Sequence, residues 1–282
     1  MTFNVRPLAA HLGAEIMDFD PREEIAEPVV RELQRALQRH RVLLFRGTPL
    51  TEEQQVRLAQ IAGVLTYRGY GNYTDPSQKS SLVSNVHEGG LFGDGELSFH
   101  SDLSFTPHIL KARSLHALIL PSYAEAGGET LFSDVHAAYD DLAPVLKARI
   151  EHMQARFAAV YDFGDRQETV EVVRPLVGTH PQTGRRFIAA SRAVTKEVIG
   201  MQRAEFRPLL KLIWAHMEQS KYIYRHQWQL ADTLFWDNIA VQHARTPFDP
   251  KEKRALRAVS IDDPAIAVTA NQRLQAAIGE TP

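Results

Sequence analysis

A histidine and an aspartate two residues apart, His100 and Asp102, form the sequence feature that most constrains this chain. In an extended segment, residues i and i+2 project from the same face, so both side chains can reach one divalent metal ion. A third ligand must then come from elsewhere. The segment from Trp236 to His243, more than 130 residues downstream, can deliver a second histidine from a distant strand.

Two histidines and one carboxylate make the facial triad of non-haem Fe(II) oxygenases, which leaves three coordination positions open for a co-substrate and O2. We therefore predict that His100, Asp102 and His243 bind a metal ion. The His-x-Asp pair alone is weak evidence, because at an arbitrary position such a pair more often caps a loop or lies on the surface. The prediction depends on further signals that follow in order along the chain.

Composition limits the other function classes. The 282 residues, 44% of them hydrophobic, are enough for a sizeable core, and we expect one domain over residues 1–282. The net charge of −2 predicts neither a nucleic acid nor an anionic membrane as partner. Cysteine is absent, so a metal must take nitrogen and oxygen ligands, which suits Fe, Mn, Zn, Ni or Mg. With no apolar run near 18 residues and no apolar signal-peptide core, we expect a cytoplasmic location.

Hydrophobic periodicity predicts helices mainly in the first 65 residues and near residues 206–217, with strands in the middle and end of the chain. Thr51 and Gln54 have the spacing of a helix capping box. We expect strands at 42–45, 81–86, 110–120, 186–189, 222–228, 233–237, 239–243 and 255–261, and a polar irregular segment at 162–183. This distribution predicts a mixed α/β, β-dominated fold, a jelly roll with helices packed outside.

Four signals now stand in one order along the chain. They are His100-x-Asp102, Gly127-Gly128-Glu129-Thr130, Trp236-Asp237-Asn238 followed by His243, and a basic cluster at Lys253, Arg254 and Arg257. From about Leu12 to Asp263 the sequence resembles the taurine dioxygenase / 2,4-dichlorophenoxyacetate dioxygenase (TauD/TfdA) family of Fe(II)- and 2-oxoglutarate-dependent oxygenases. The resemblance implies a double-stranded β-helix, with His100, Asp102 and His243 as the iron ligands.

The resemblance also implies a binding site for 2-oxoglutarate. It assigns the carboxylate contacts to Thr130 and Arg257. An arginine offers a planar fork that can hold a carboxylate through two hydrogen bonds. We accordingly expect Fe(II), 2-oxoglutarate and O2 as cofactor and co-substrates, and we interpret Arg254 as surface charge.

The substrate is a small molecule whose contacts the sequence indicates only in outline. Tyr70, Asn85 and Glu96 lie in or beside the loops that would cover the site, and Lys253 is a candidate contact for an anionic group. Glu96 stands where the taurine enzyme carries an amide, which would favour an amine on the substrate.

The sequence therefore predicts a 2-oxoglutarate-dependent dioxygenase that oxidises a C–H bond and releases succinate and CO2. Hydroxylation is the usual outcome and desaturation a second one. Two alternatives from other classes stay open: a metal-dependent hydrolase or isomerase on a β-barrel scaffold, and a non-catalytic barrel that binds a small ligand. A homo-dimer or homo-tetramer is expected from relatives.

Overall fold

The structure is a computed structural model that describes residues 3–66, 79–162 and 167–267. The α-helices are α1 (Glu27–His40), α2 (Glu52–Ala59), α3 (Val135–Asp140), α4 (Pro144–Ile150) and α5 (Arg203–Met217). The strands are β1 (Asn4–Pro7), β2 (Ala14–Met17), β3 (Val42–Phe45), β4 (Val64–Leu65), β5 (Ser81–Ser84), β6 (Leu91–Phe92), β7 (Leu97–His100), β8 (Ala112–Ile119), β9 (Thr130–Asp134), β10 (Gln154–Asp162), β11 (Gln167–Pro175), β12 (Val177–Thr179), β13 (Arg186–Ile188), β14 (Thr195–Val198), β15 (Ile223–His226), β16 (Thr233–Asp237), β17 (Val241–Arg245) and β18 (Ala255–Asp262).

Two sheets pack face to face. The main sheet has the strand order β1-β2-β3-β16-β8-β18-β5-β6, with β4 also paired to β18, and the minor sheet has the order β15-β9-β17-β7. Nearly all pairs are antiparallel, and the strands paired at the centre of each sheet are far apart in sequence. This arrangement is the predicted jelly roll, in which long connections carry the chain from one sheet to the other.

The main sheet buries both of its faces. One face meets the minor sheet, where Leu234 and Leu256 pack with Phe132 and Val241. The opposite face is covered by α1 and α2, whose leucines pack against Val259 and its neighbours. Because successive side chains of a strand alternate between faces, each residue of β18 points either between the sheets or towards the helices.

Helix α2 begins with the expected capping box. The Thr51 hydroxyl accepts a hydrogen bond from the backbone N–H of Gln54, and the Gln54 side chain accepts one from the N–H of Thr51. This cap fixes where α2 starts above the main sheet. The helix then carries Gln55 towards β18, a contact that matters for the site.

The prediction of an irregular segment at 162–183 was wrong. Strand β11 pairs with β10 along nine residues, and β12 pairs with β13. Much of β11 is exposed, and Val170 and Val172 are only half-buried, so its sequence lacks the apolar pattern of a core strand.

Among the described helices, none is long and apolar enough to cross a membrane.

Candidate metal and co-substrate site

His100, Asp102 and His243 lie together between the two sheets. His100 ends β7 and is directly opposite His243 of β17 in the antiparallel register, so the two imidazoles leave the same face. Their ring centroids are 4.3 Å apart. Asp102 follows β7, with Oδ1 3.5 Å from Nε2 of His100 and Oδ2 3.7 Å from Nε2 of His243. The three ligand atoms lie within 4.8 Å of one another, a spacing that one metal ion can bridge.

Asn238 fixes the backbone of Asp102. Its side-chain oxygen accepts from the Asp102 N–H at 2.9 Å, and its amide nitrogen donates to the carbonyls of Asp102 and Leu110. Asp237 accepts hydrogen bonds from the N–H groups of the turn that follows it. The Trp-Asp-Asn segment therefore holds the turn and the metal-binding loop.

Hydrogen bonding sets the orientation of His100. Its Nδ1 lies 2.8 Å from the carbonyl oxygen of Ser98, which can only accept, so Nδ1 carries the proton. Nε2 is then free of a proton and faces Asp102. This is the arrangement in which an imidazole offers its second nitrogen to a metal ion.

The electrostatics of the site keep the ligands in metal-binding form. Burial and then repulsion from His100 lower the pKa of His243 from 6.5 to about 3, so this imidazole is neutral near pH 7. Burial alone would raise the pKa of Asp102. The Arg113 guanidinium and the two imidazoles outweigh burial and hold that pKa well below its usual range. A neutral imidazole and an ionised carboxylate are the forms that coordinate a divalent cation.

A cavity of about 450 Å³ opens around these residues. Its polar lining consists of the three candidate ligands together with Arg113, Thr130, Arg245 and Arg254. Its apolar lining includes Val83, Leu97, Leu115, Trp236 and Leu256. The mixture of apolar walls with a few converging polar groups is typical of small-molecule sites.

The structure places Arg257, which we predicted as a co-substrate contact, outside this cavity. Arg257 has the parity of Val259 on β18, so its side chain leaves the helix-facing side of the main sheet. There Nε donates to the side chain of Gln55 at 2.7 Å and Nη2 donates to the carbonyl of Leu50 at 2.7 Å. Arg257 is thus part of the contact between β18 and α2.

Arg254 lies in the cavity instead, so its interpretation as surface charge was wrong. It has the parity of Leu256, which points between the sheets, and it is only 2% exposed. Its Nη2 donates to the carbonyl of Gly128 at 3.0 Å, while its Nε has no hydrogen-bond partner among the described residues. Burial, with repulsion from Arg245, lowers the pKa of Arg254 to about 9, so it remains charged near pH 7.

The Gly127-Gly128 pair makes room for this arginine. A Cβ on Gly128 would lie 3.1 Å from Nε of Arg254, and one on Gly127 would lie 2.2 Å from the carbonyl oxygen of Pro247. Both glycines also have positive φ, near 91° and 81°. The motif therefore allows the close approach of backbone and guanidinium that the cavity requires.

Thr130, the other predicted co-substrate contact, lines the cavity. It is 3% exposed, and its hydroxyl oxygen accepts a hydrogen bond from Nε1 of Trp228 at 3.0 Å. Because the indole N–H can only donate, the Thr130 hydroxyl keeps its own proton for another acceptor. A carboxylate between Thr130 and Arg254 would meet that proton on one side and a guanidinium on the other.

The described part of the cavity lining does not include Asn85, Glu96 or Lys253. Glu96 and Lys253 are exposed, and the charge of Glu96 acts on Arg192. Asn85 accepts from the backbone N–H of Arg254 and donates to the carbonyl of Glu252, so it positions the strand that carries Arg254. Tyr70 lies outside the described residues.

The fold and the site define the class of non-haem iron enzymes with a two-histidine, one-carboxylate centre. Comparison with known proteins agrees. Residues 4–260 match the model of the taurine catabolism dioxygenase TauD, TfdA family. The chain is 31% identical to the alpha-ketoglutarate-dependent 2,4-dichlorophenoxyacetate dioxygenase of Cupriavidus pinatubonensis over 94% of this chain and 100% of that one. It is also 31% identical to the pentalenolactone F synthase of Streptomyces arenae, over 91% and 94%.

Solved structures show the same fold. The crystal structure of AAD-2 in complex with Mn(II) and N-oxalylglycine superposes with a TM-score of 0.79 at 28% identity, covering 93% of this chain and 97% of that one. A taurine dioxygenase from Burkholderia xenovorans superposes with a TM-score of 0.78 at 27% identity, covering 93% and 89%. The chain belongs to the TauD/TfdA family and is a 2-oxoglutarate-dependent non-haem iron dioxygenase, an oxidoreductase that uses Fe(II), 2-oxoglutarate and O2.

Proposed function

We propose that His100, Asp102 and His243 hold Fe(II), that Arg254 and Thr130 bind the distal carboxylate of 2-oxoglutarate, and that the protein hydroxylates a C–H bond of a small organic molecule. One observation carries the proposal. The triad and a buried arginine with an unpartnered Nε line the same cavity.

The donor set fits the metal. Two imidazole nitrogens and one carboxylate oxygen that converge from one side leave the other side open, which is the ligand pattern of mononuclear iron oxygenases. When bound there, iron and 2-oxoglutarate supply the oxidising power, with succinate and CO2 as the products of the co-substrate. The chain itself supplies binding, orientation and exclusion of water.

Arg254 and Thr130 fit the co-substrate. Among the described residues, the one hydrogen-bond acceptor of this buried guanidinium is a backbone carbonyl, and a carboxylate would give it a charged partner. The Thr130 hydroxyl would donate its proton to the same carboxylate, because its oxygen already accepts a hydrogen bond from Nε1 of Trp228. The relative crystallised with N-oxalylglycine, a molecule with the same two carboxylate ends as 2-oxoglutarate, supports this assignment by similarity.

The rest of the cavity protects the reaction. Leu115, Trp236 and Leu256 line its wall and keep bulk water away from the metal. These apolar surfaces also suit the carbon skeleton of a small substrate. A hydrolase or a non-catalytic barrel gives no role to Arg254 and Thr130, and the family assignment does not favour either alternative.

The test is to add Fe(II) and 2-oxoglutarate to metal-free protein without oxygen and to record the visible spectrum. We expect a weak charge-transfer band that requires both additions. Asp102→Ala removes a metal ligand and should abolish both the band and succinate formation in air. The matched control is Asp263→Ala, which removes a carboxylate paired with Lys111 at the protein surface and should leave the band unchanged.

Two results would contradict the proposal. One is the absence of a band in the wild-type protein together with tight retention of zinc, which would favour the hydrolase alternative. The other is succinate formation by Asp102→Ala at the wild-type rate, which would show that this triad is not the iron site.

A further inference from the structure

Arg245 is a second buried arginine of the cavity, and it lies next to the proposed co-substrate contacts. It follows His243 by two positions on β17, so both side chains leave the same face of the minor sheet. In the register of β17 with β9, Arg245 is directly opposite Thr130, and both residues line the cavity. Arg245 is only 4% exposed.

The protein uses one edge of the Arg245 guanidinium and leaves the other edge unpaired. Nε donates to the carbonyl of Gly95 at 3.2 Å, and Nη2 donates to the carbonyl of Phe92 at 2.7 Å. Nη1 is buried and has no hydrogen-bond partner among the described residues. A buried N–H group without an acceptor is costly and rare in folded proteins. Nη1 is therefore a donor that a ligand in the cavity can use.

Arg245 and Arg254 also bring two positive charges close together. Both guanidiniums lie against the ring of Phe248, with their central carbons 5.4 Å and 5.8 Å from its centroid. Burial lowers the pKa of Arg245, and the charge of Asp94 opposes this effect. Among the described residues, the hydrogen-bond acceptors of both guanidiniums are backbone carbonyls rather than carboxylates. Two buried cations in this arrangement favour an anion between them.

The distal carboxylate of 2-oxoglutarate has enough acceptor positions for both arginines. A carboxylate offers two oxygens and about four lone-pair positions. Nε of Arg254, Nη1 of Arg245 and the hydroxyl of Thr130 supply three donors. Arg245 lies two residues, or roughly 7 Å, beyond the metal-binding His243 along β17. This separation is comparable to the length of a five-carbon diacid.

Building on the function proposed above, we propose that Arg245 is a second guanidinium contact of the co-substrate, so that the distal carboxylate of 2-oxoglutarate binds between Arg245 and Arg254. Arg245 thereby makes the site selective for 2-oxo diacids over 2-oxo monoacids. A hydrogen bond between two charged groups is about twice as strong as one between neutral groups. The other edge of Arg245 holds Phe92 and Gly95, so one side chain joins the co-substrate to the loop between β6 and β7.

A purely structural role for Arg245 is the alternative. Arg245 would then only tie the loop between β6 and β7 to β17. Its loss would disturb every 2-oxo acid in the cavity to the same degree. The two roles therefore differ in whether the effect of Arg245 depends on the distal carboxylate of the ligand.

The test compares 2-oxoglutarate with 2-oxovalerate, which keeps the metal-chelating 2-oxo acid and the five-carbon chain but ends in a methyl group. Each compound is titrated without oxygen into the Fe(II) protein, and the charge-transfer band gives its dissociation constant. We define the diacid preference as the ratio of these two dissociation constants. In the wild-type protein, we expect 2-oxoglutarate to bind about 100-fold more tightly than 2-oxovalerate, or better.

Substitutions then assign the diacid preference to Arg245. Arg245→Gln keeps an amide N–H for the loop carbonyls but removes the charge. It should weaken 2-oxoglutarate binding about 10-fold to 100-fold and change 2-oxovalerate binding less than about threefold. Arg245→Lys keeps a charge without the planar fork and should lose part of the diacid preference. Arg257→Gln is the matched control, because this arginine lies on the other face of the main sheet and should keep the full preference.

The outcomes separate this proposal from the one on which it rests. No band in the wild-type protein would contradict the iron and co-substrate site, and with it any role of Arg245 there. An unchanged diacid preference in Arg254→Gln would contradict the earlier assignment of Arg254. The full wild-type diacid preference in either Arg245 variant would overturn the role of Arg245 alone. This holds even if both 2-oxo acids bind more weakly, because Arg245 would then only hold the loop.

Discussion

Arg254 and Arg257 are three positions apart in and beside one strand, yet they serve different halves of the molecule. Arg254 points between the two sheets and reaches the cavity that holds the triad. Arg257 points to the other face and joins β18 to α2 through Gln55 and Leu50. An odd spacing along a strand reverses the face, so two equal charges in one basic cluster are separated by the thickness of a sheet.

Residue type and spacing from a motif therefore do not identify the arginine that binds a ligand. The hydrogen-bond partners of the side chain do. Arg254 donates to one carbonyl and keeps an unpartnered Nε among the described residues, whereas the Nε and Nη2 of Arg257 are both paired. A guanidinium whose N–H groups bond within the protein stabilises the fold. A guanidinium that keeps an unpaired N–H can bind a ligand.

The largest expected difference is in 2-oxoglutarate affinity. Arg254→Gln removes one partner of a buried charge pair and should weaken 2-oxoglutarate binding roughly 30-fold to 1,000-fold. Arg257→Gln should change it less than about threefold. Titration of the anaerobic Fe(II) protein with 2-oxoglutarate measures both. Equal losses of 2-oxoglutarate affinity in the two variants would contradict the conclusion that Arg254, and not Arg257, faces the co-substrate.

The next largest effect is on the pH dependence of folding stability, through His116, which lies opposite Arg257 in the strand pairing. Burial, followed by repulsion from Arg257, lowers the pKa of His116 from 6.5 to about 4. The folded state therefore binds fewer protons than the unfolded state, and His116 should cost stability as the pH falls from about 6.5 to about 4, by at most about 3 kcal/mol. Above about pH 6.5, His116 is neutral in both the folded and the unfolded state, so it no longer lowers the free energy of unfolding.

The same histidine offers a way to sharpen the comparison. Arg257→Met removes the repelling charge, so the pKa of His116 should rise and the loss of stability in acid should become smaller. Chemical denaturation of both proteins over this pH range measures the difference. An unchanged pH profile would mean that burial alone controls His116.

Arg257→Met should also destabilise the fold at neutral pH. It leaves the Leu50 carbonyl and the Gln55 side-chain oxygen without their donor, at a cost of about 1–3 kcal/mol. The 2-oxoglutarate affinity of the folded fraction should stay near the wild-type value. A stable Arg257→Met protein that fails to bind 2-oxoglutarate would reverse the assignment of the two arginines.

The smallest expected effect concerns Asn85, which binds the backbone on both sides of Lys253. Asn85→Ala removes its hydrogen bonds to Glu252 and Arg254 and should loosen the segment that positions the Arg254 side chain. We expect 2-oxoglutarate binding to weaken by up to about tenfold, or about 1.4 kcal/mol. No change in affinity would mean that Gly128 alone is enough to position Arg254.

The sequence predicted the metal centre better than the co-substrate site. His100 and His243 come from short extended segments next to distinctive neighbours, so their type and order along the chain were informative. Arg254 and Arg257 flank or occupy a strand that is buried on both faces, where Ala255, Leu256, Ala258 and Val259 are all apolar. Without alternation between apolar and polar residues, the sequence does not indicate which parity faces the cavity.

The sequence also gives no information on strand register, and this explains the other differences between prediction and structure. Arg113 is the second residue of β8, and the register of β8 with β16 and β18 places it where its side chain meets Asp102. The exposed strand β11 lacked an apolar pattern because its pairing with β10, rather than burial, defines it. Local composition carries no information on either register.

Strand β7 forms an edge of the minor sheet, where β17 is the one strand paired with it among the described residues. A metal ion bound by His100 and His243 would join these two strands across their register, beyond the hydrogen bonds of the ladder. It would act as a removable cross-link at the most weakly held side of the sheet, and saturation at 100 times the dissociation constant would add about 2.7 kcal/mol of stability. Chelation should then speed amide hydrogen exchange in β7 before it affects the centre of the main sheet.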